Sequence, residues 1–194
     1  MSIKVNIGCG YKKEEGFINI DADPLTEPDH VIDLEKAKLP FEDDTVDEVR
    51  AWHILEHIGE GFLPLMKEIY RTCKKDAVID IQFPYHRHDM YFADPTHKRP
   101  LTISSFTVMG KKFCDHLRDL NQSSSGIAYN FDIDFEYVKH TNVVSKEYQN
   151  TFQDMVERQD KKTVSSEEIQ AFNAWSLSTN NVIQEVWLQL KVIK

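Results

Sequence analysis

Apolar and polar positions alternate from the start of the chain. Residues Ile3 to Ile7 read as a short strand that ends in the turn Gly8-Cys9-Gly10. Phe17 to Asp21 reads as a second strand and His30 to Asp33 as a third. Val46 to Trp52 gives a fourth, after a loop that contains Pro40 and Asp43-Asp44. The period then changes. Phe62, Leu65, Met66, Ile69, Tyr70 and Cys73 recur at helical spacing and predict an amphipathic helix. Ala77 to Phe83 follows as a fifth strand, closed by Pro84. Tyr85 to Pro100 has no period and reads as a long loop dense in His, Asp, Arg and Lys.

Phe106, Met109, Phe113, Leu117 and Leu120 predict a second helix with Thr102 as its N-cap, and Gln122 to Gly126 breaks the chain. Two alternating segments close the sequence. Phe131, Ile133, Phe135 and Tyr137 share one strand face; Val182, Val186, Leu188, Leu190 and Val192 share another. Between them, 141–180 is polar and weakly periodic, with a short helix expected around Ile169, Phe172 and Trp175. Strands alternating with helices predict an α/β fold with a mostly parallel sheet, to which the two late strands add an antiparallel pair. We expect a single domain over 1–194, with 141–180 inserted between the last two strands.

Composition narrows the partners. A net charge of −9 and a pI near 5.3 lack the basic footprint of a protein that grips phosphate backbones, so nucleic acid is disfavoured. Cys9, Cys73 and Cys114 are an odd set without paired spacing, which is neither a disulfide framework nor a zinc knuckle. The opening Met1-Ser2-Ile3-Lys4 carries no apolar signal region, and no apolar run approaches a membrane span. A reducing, cytoplasmic location is the expectation.

The chemistry-bearing pattern is a strand, Gly-x-Gly, a strand ending in Asp21 and a strand ending in Asp33. In an open parallel sheet, ligands bind beyond the carboxyl ends of the strands. Gly8 and Gly10 would let backbone approach a ligand where a Cβ would collide. Asp21 can accept from two ribose hydroxyls, and Asp33 from the exocyclic amine of adenine. A nicotinamide dinucleotide fits poorly. Lys13 stands where a third glycine is needed, and Asp21 lies only 13 residues past Gly8 where the dinucleotide motif wants about 20. The short link from Gly8 to Phe17 scarcely has room for a helix to hold a pyrophosphate. An adenosyl cofactor without phosphates fits better.

These residues resemble a known family. VNIGCG (5–10), FINID (17–21), HVIDLEKAKLPFEDDTVDEVRAWHILEHI (30–58) and LMKEIYRTCKKDAVIDIQFP (65–84) are similar to class I S-adenosylmethionine-dependent methyltransferases, most closely a compact, type 11-like branch. The resemblance covers residue 3 to about 106. It implies a Rossmann-like, doubly wound, seven-stranded sheet with an antiparallel C-terminal strand, and S-adenosylmethionine as cofactor. It also implies that the Gly8-Cys9-Gly10 loop lies along the methionine moiety, Asp21 under the ribose, and Asp33 with Leu34 beside the adenine. His53 would sit near the transferred methyl. Leu55-Glu56-His57 is a family signature expected to pack the following segment. One departure is Asn6, which stands where many relatives have Asp.

DPTHKRPLT (94–102) is similar to a segment that follows the fifth strand in this branch and would lie over the active-site mouth. His97 and His53 are the catalytic candidates, since either would suit a base near neutral pH. His86, Asp94 and Arg99 are the substrate-binding candidates, and no metal ligands are assigned. The expected acceptor is a surface sugar or small metabolite. Two alternatives stand beside this reading. One is a non-catalytic relative that binds the cofactor or serves as a scaffold. The other is a metal-dependent enzyme built on the 86–97 loop, whose His86, His88, Asp89, Asp94 and His97 offer ligands for Zn, Fe or Mn.

Overall fold

The computed structural model describes residues 2–36, 38–123, 125–150 and 166–194. Its seven strands are β1 (Ile3–Ile7), β2 (Ile18–Asp21), β3 (His30–Val31), β4 (Val46–Trp52), β5 (Cys73–Pro84), β6 (Phe135–Val144) and β7 (Ile183–Val192). They form one sheet in the order β3-β2-β1-β4-β5-β7-β6. Every pair is parallel except the two made by β7, which runs antiparallel to both β5 and β6. The order reverses between β1 and its two neighbours, which makes the carboxyl ends of β1, β2 and β4 the switch point of the sheet.

The pleat separates two kinds of residue with little mixing. Ile20, Ile7, Ala51, Ile81 and Leu188 lie side by side across five strands, each at most 2% exposed. One residue earlier or later on the same strands, Asn19, Asn6, Arg50, Asp80 and Gln189 form a polar row, which Lys139 continues on β6. The apolar row packs on helix α1 (Phe62–Thr72), whose Phe62, Leu65, Met66 and Ile69 belong to the same buried cluster. The polar row is tied by side-chain contacts. Gln189 donates to Asp80 at 2.9 Å, and Arg50 lies over the rings of Phe17 and Trp52.

The β1–β2 connection contains no helix. Two buried asparagines replace it. Asn6 Nδ2 donates to the Asn19 side-chain oxygen at 3.0 Å and to the Lys12 carbonyl at 3.2 Å. The Asn19 oxygen also accepts from the Glu14 N–H, while its Nδ2 donates to the Phe17 carbonyl. An ion pair from Arg50 to Glu14 at 2.9 Å adds an outer tie.

Several expectations about elements change: β3 ends at Val31 rather than Asp33, and Phe131 and Ile133 precede β6 instead of lying in it. Strand β5 begins at Cys73 rather than Ala77, directly after α1, with the polar Lys74-Lys75-Asp76 stretch inside it and Asp76 at a φ of 63°. The 85–100 loop contains a short helix, α2 (Asp89–Ala93). The single helix expected after Thr102 is two, α3 (Ile103–Thr107) and α4 (Lys111–Asp119). Thr102 does cap α3, in a capping box with Ser105. The helix breaks at Gly110, whose backbone is extended (φ −98°, ψ 128°) and opens α4; a Cβ there would stand 2.6 Å from the Phe135 carbonyl, so the close approach to the start of β6 requires glycine. Helix α5 (Ile127–Asn130) precedes β6, which runs on through Val144, so the polar excursion starts at Ser145. Helix α6 (Ser166–Ser178) carries the buried Phe172, as the spacing of Ile169, Phe172 and Trp175 suggests. Residues 151–165 of the excursion lie outside the described residues.

All three cysteines are buried free thiols, and burial pushes Cys73 up to about 12. No helix among the described residues is long and apolar enough to cross a membrane.

Asn19→Ala removes the acceptor of Asn6 and of the Glu14 N–H together. It is expected to cost roughly 2–3 kcal/mol, because buried partners are left unsatisfied. Urea denaturation should show a lower midpoint at unchanged slope. A loss below about 0.5 kcal/mol, the level of an ordinary surface change, would mean that the asparagine pair does not hold the crossover.

Candidate functional site

The end of β1 turns sharply because Gly8 and Gly10 adopt left-handed φ values of 66° and 50°. A Cβ on Gly8 would lie 2.4 Å from Ile54 Cγ1, so only glycine allows this approach to the segment after β4. Gly10 differs: nothing lies within 4 Å of the place its Cβ would occupy. Its N–H donates to Asp21 Oδ2 at 2.7 Å, and the Asp23 N–H donates to Oδ1 at 2.9 Å. The carboxylate at the end of β2 is therefore fixed against the glycine turn, with lone pairs left on both oxygens. Cys9 is buried, its N–H on the Ile20 carbonyl. Burial, then the Asp21 charge, push its thiol up.

Asp33 stands just beyond β3, which is hydrogen-bonded to β2. Its carboxylate is held below the usual range by Lys36 and then by the Glu35 N–H. The Leu34 side chain is buried in the core, so only its backbone faces outward chemistry. Glu35 straps this loop to the start of α1. It accepts from the N–H groups of Gly59 at 2.7 Å and Gly61 at 3.2 Å and pairs with Lys98. Two exposed apolar side chains flank the glycine turn and Asp21 in sequence. Tyr11 is 80% exposed and Leu25 77%, on the loops that follow Gly10 and Asp23. Sequence reading passed over both; apolar residues on the loops beside a Gly-x-Gly and a strand-end Asp were the available signal.

On the other side, His53 follows β4 at a φ of 53°, an uncommon conformation for a residue other than glycine. Its Nε2 meets Glu185 at 3.0 Å, and its Nδ1 lies 3.5 Å from Glu56. The carboxylates of Glu56 and then Glu185 raise the imidazole above its ordinary range, against the effect of partial burial. That favours a hydrogen-bond donor over a proton acceptor at this position. Glu185 comes from β7, opposite Pro84 on β5, a register that no local pattern reveals.

His97 joins this group. The Lys98 and Arg99 N–H groups both donate to the Glu56 carbonyl, which docks the 94–99 segment on the turn Leu55–His57. His97 and His57 rings meet at 4.6 Å, and His97 stacks on Tyr91. His53, Glu56, His57, Asp94, His97 and Glu185 line one cavity of about 280 Å³.

The remaining candidates are placed elsewhere or are committed. Arg99 gives its guanidinium to the carbonyls of Ile58 and Gly59 and lies over Phe62, so it braces the turn. His86 packs on Tyr85 and lines a separate cavity of about 420 Å³ with Phe83, Leu101 and Val186. Burial pushes its imidazole down. Asp94 accepts from the Thr96 N–H and hydroxyl, and these bonds hold its carboxylate low. The ligand set imagined within 86–97 does not converge. His88 caps α2 through the Met90 N–H, and Asp89 binds Asn181.

No protein-family model and no curated protein sequence matches the chain. Solved structures do. A S-adenosylmethionine-dependent methyltransferase from Archaeoglobus fulgidus superposes with a TM-score of 0.57 at 20% identity, over 98% of this chain and 86% of that one. The YcgJ protein of Bacillus subtilis gives 0.53 at 11% identity, over 100% and 93%. The fold is that of the class I methyltransferases. The [4+2]-cyclase SpnF shares it too, with a TM-score of 0.53 at 14% identity, over 99% of this chain and 76% of that one. The methyltransferase fold thus carries more than one chemistry.

Glu35 supplies a pH-dependent tie. The Gly59 N–H, and then the Gly61 N–H and Lys98, hold its carboxylate below the usual range. A depressed carboxylate adds stability above its unfolded pKa and loses it as pH falls through the folded value. Glu35→Gln should be less stable than wild type at neutral pH, and the two curves should converge between about pH 5 and pH 3. Thermal unfolding across that range measures it; a gap that stays constant down to about pH 3 would contradict the tie.

Proposed function

We propose that the chain binds S-adenosylmethionine across the carboxyl ends of β1, β2 and β3 and transfers its methyl group to a small-molecule or glycan acceptor. One observation carries this reading: the Gly10 N–H holds the Asp21 carboxylate at 2.7 Å while the space beside Gly10 is empty. That combination suits a ribose, whose two hydroxyls need acceptors and whose bulk needs room. Gly8, Cys9 and Gly10 line the methionine with backbone. Asp21 accepts from the ribose, and Asp33 accepts from the adenine amine with the Leu34 backbone beside it. Tyr11 and Leu25 supply apolar cover to the adenosine. The missing first helix agrees with a cofactor that brings no pyrophosphate to a helix N-terminus.

The bound sulfonium brings an already activated methyl group, so the protein's work is placement, which can supply up to about 7–11 kcal/mol. The cavity of His53, His97 and Asp94 holds the acceptor. Its imidazoles and carboxylates can hold hydroxyl groups, while Pro84 and Met90 add apolar surface beside them. His53 donates a hydrogen bond to acceptor oxygen and His97 takes up its proton; Asp94 orients the segment. His86, in its separate cavity, and Arg99, on backbone carbonyls, do not share that task. The sequence resemblance and the shortened first crossover support the compact, type 11-like branch. A second reading is favoured by the SpnF likeness: the same crevice and cavity could serve a reaction other than methyl transfer.

Calorimetric titration with S-adenosylhomocysteine tests the proposal. Wild type should bind, and Asp21→Ala should weaken binding by roughly 1–3 kcal/mol, the value of hydrogen bonds to a charged group. Absence of binding at millimolar ligand would remove the methyltransferase reading. Binding without methyl incorporation into any acceptor of a labelled-donor metabolite screen would favour the second.

A further inference from the structure

We propose that Glu56, His57 and His97 form a binding site for a divalent first-row transition-metal ion, with zinc the ion this donor set suits best. The proposal begins with Glu56. Its side chain is 1% exposed, yet neither carboxylate oxygen has a hydrogen-bond partner. The 3.5 Å approach of His53 Nδ1 is an ion-pair distance that misses hydrogen-bond geometry. A buried carboxylate without a hydrogen-bond donor is costly, and the His53 ion pair meets only one of its two oxygens.

The cation's other ligands are beside it. One potential ligand atom from each of Glu56, His57 and His97 falls within 4.8 Å of the others. Hydrogen bonding also fixes which ring nitrogen is free. His97 Nδ1 lies 2.6 Å from the Tyr91 carbonyl, which can only accept, so Nδ1 carries the hydrogen. The Thr96 hydroxyl gives its single hydrogen to Asp94 at 2.6 Å, so its oxygen accepts from His57 Nδ1 at 2.9 Å. Each ring is therefore left with its lone pair on Nε2. A metal-bound histidine is typically oriented in this way, through a carbonyl or a carboxylate relay on the other nitrogen.

Two imidazole nitrogens and one carboxylate oxygen are ligands of borderline hardness and match a three-ligand zinc site with an open position. Bonds of about 2.0–2.1 Å would draw the three atoms in to roughly 3.4 Å apart. The open position looks into the cavity that His53 and Glu185 share. It would take water or an oxygen of the acceptor. Metal binding is read without cofactor and does not depend on the methyl-transfer reading; an ion on His97 Nε2 would occupy the lone pair that otherwise takes up the acceptor's proton, so the two roles of His97 are alternatives.

The test uses tag-free, full-length protein stripped with a chelator and then titrated with Zn²⁺ by calorimetry, with the visible absorption of bound Co²⁺ as a second probe. A single ion should bind each chain. Glu56→Gln and His97→Ala should each weaken it by more than about tenfold, the loss expected from outer contacts alone. Thr96→Val keeps every ligand and should weaken it by about tenfold. Imidazole nitrogen spectra of the wild type decide the matter even if a variant fails to fold: Zn²⁺ should shift Nε2 of His57 and His97. No stoichiometric binding, or shifts confined to other histidines, would overturn the proposal.

Discussion

The rest of the structure depends on how the first two strands are joined. Ten residues, Gly8 to Phe17, carry the chain from the end of β1 to the start of β2 without a helix. A parallel crossover this short must find partners for its backbone groups without an internal ladder. Asn6 and Asn19 provide them because an amide both donates and accepts. Asn19 alone satisfies the Glu14 N–H and the Phe17 carbonyl while binding Asn6. A charged aspartate at position 6 could only accept and would face the Asn19 oxygen without a hydrogen to offer. The crossover's conformation sets the glycine turn, and the turn brings the Gly10 N–H to Asp21.

A second constraint follows from the sheet. The polar row from Asn19 to Lys139 crosses six strands, so the face opposite α1 cannot form an apolar layer. Trp187, opposite Gln82 on β5, is 46% exposed there. Stability is therefore concentrated on the face covered by α1, where Ile7, Ile79, Ile81, Leu65 and Met66 are fully buried. Arg50 shows how the polar side holds together. Its guanidinium stacks on Phe17 and pairs with Glu14, so it secures the crossover from the outside. Loss of the usual crossover helix and polarity of the strand residues beneath it are two aspects of one arrangement.

Much of this was legible in the sequence. Strands and helix α1 announce themselves because each repeats a period over several residues, and β4 and the start of α1 fall at the residues the pattern indicates. Gly8, Gly10 and Asp21 were legible because their chemistry is local to strand ends. The acceptor side was harder to read. Histidines at 86, 88 and 97 look equivalent in a loop without period, yet one lines another cavity, one caps a helix and one meets Glu56. Glu185 enters through the antiparallel register of β7 on β5, and register is a tertiary fact. Glu56 and His57 read as packing residues of a turn. Only the burial of Glu56, together with its missing hydrogen-bond partners, separates it from a carboxylate that merely packs.

The two halves of the site meet in the residues after β4. Ile54 closes on Gly8, so the glycine turn cannot shift without moving the segment that carries His53 and Glu56. His53 is held at a positive φ between these contacts, and its N–H is fixed by the Gln82 carbonyl of β5. Strain of this kind persists only where the surroundings over-determine it. Here they do: β5 fixes the backbone, Glu185 of β7 fixes the ring, and the next residue, Ile54, packs against the glycine turn. A ligand that orders the glycine turn therefore bears mechanically on the carboxylate and imidazoles across β4. The glycine turn and the 280 Å³ cavity thus share the residues after β4, and the pairing of β1, β4 and β5 sets where each stands.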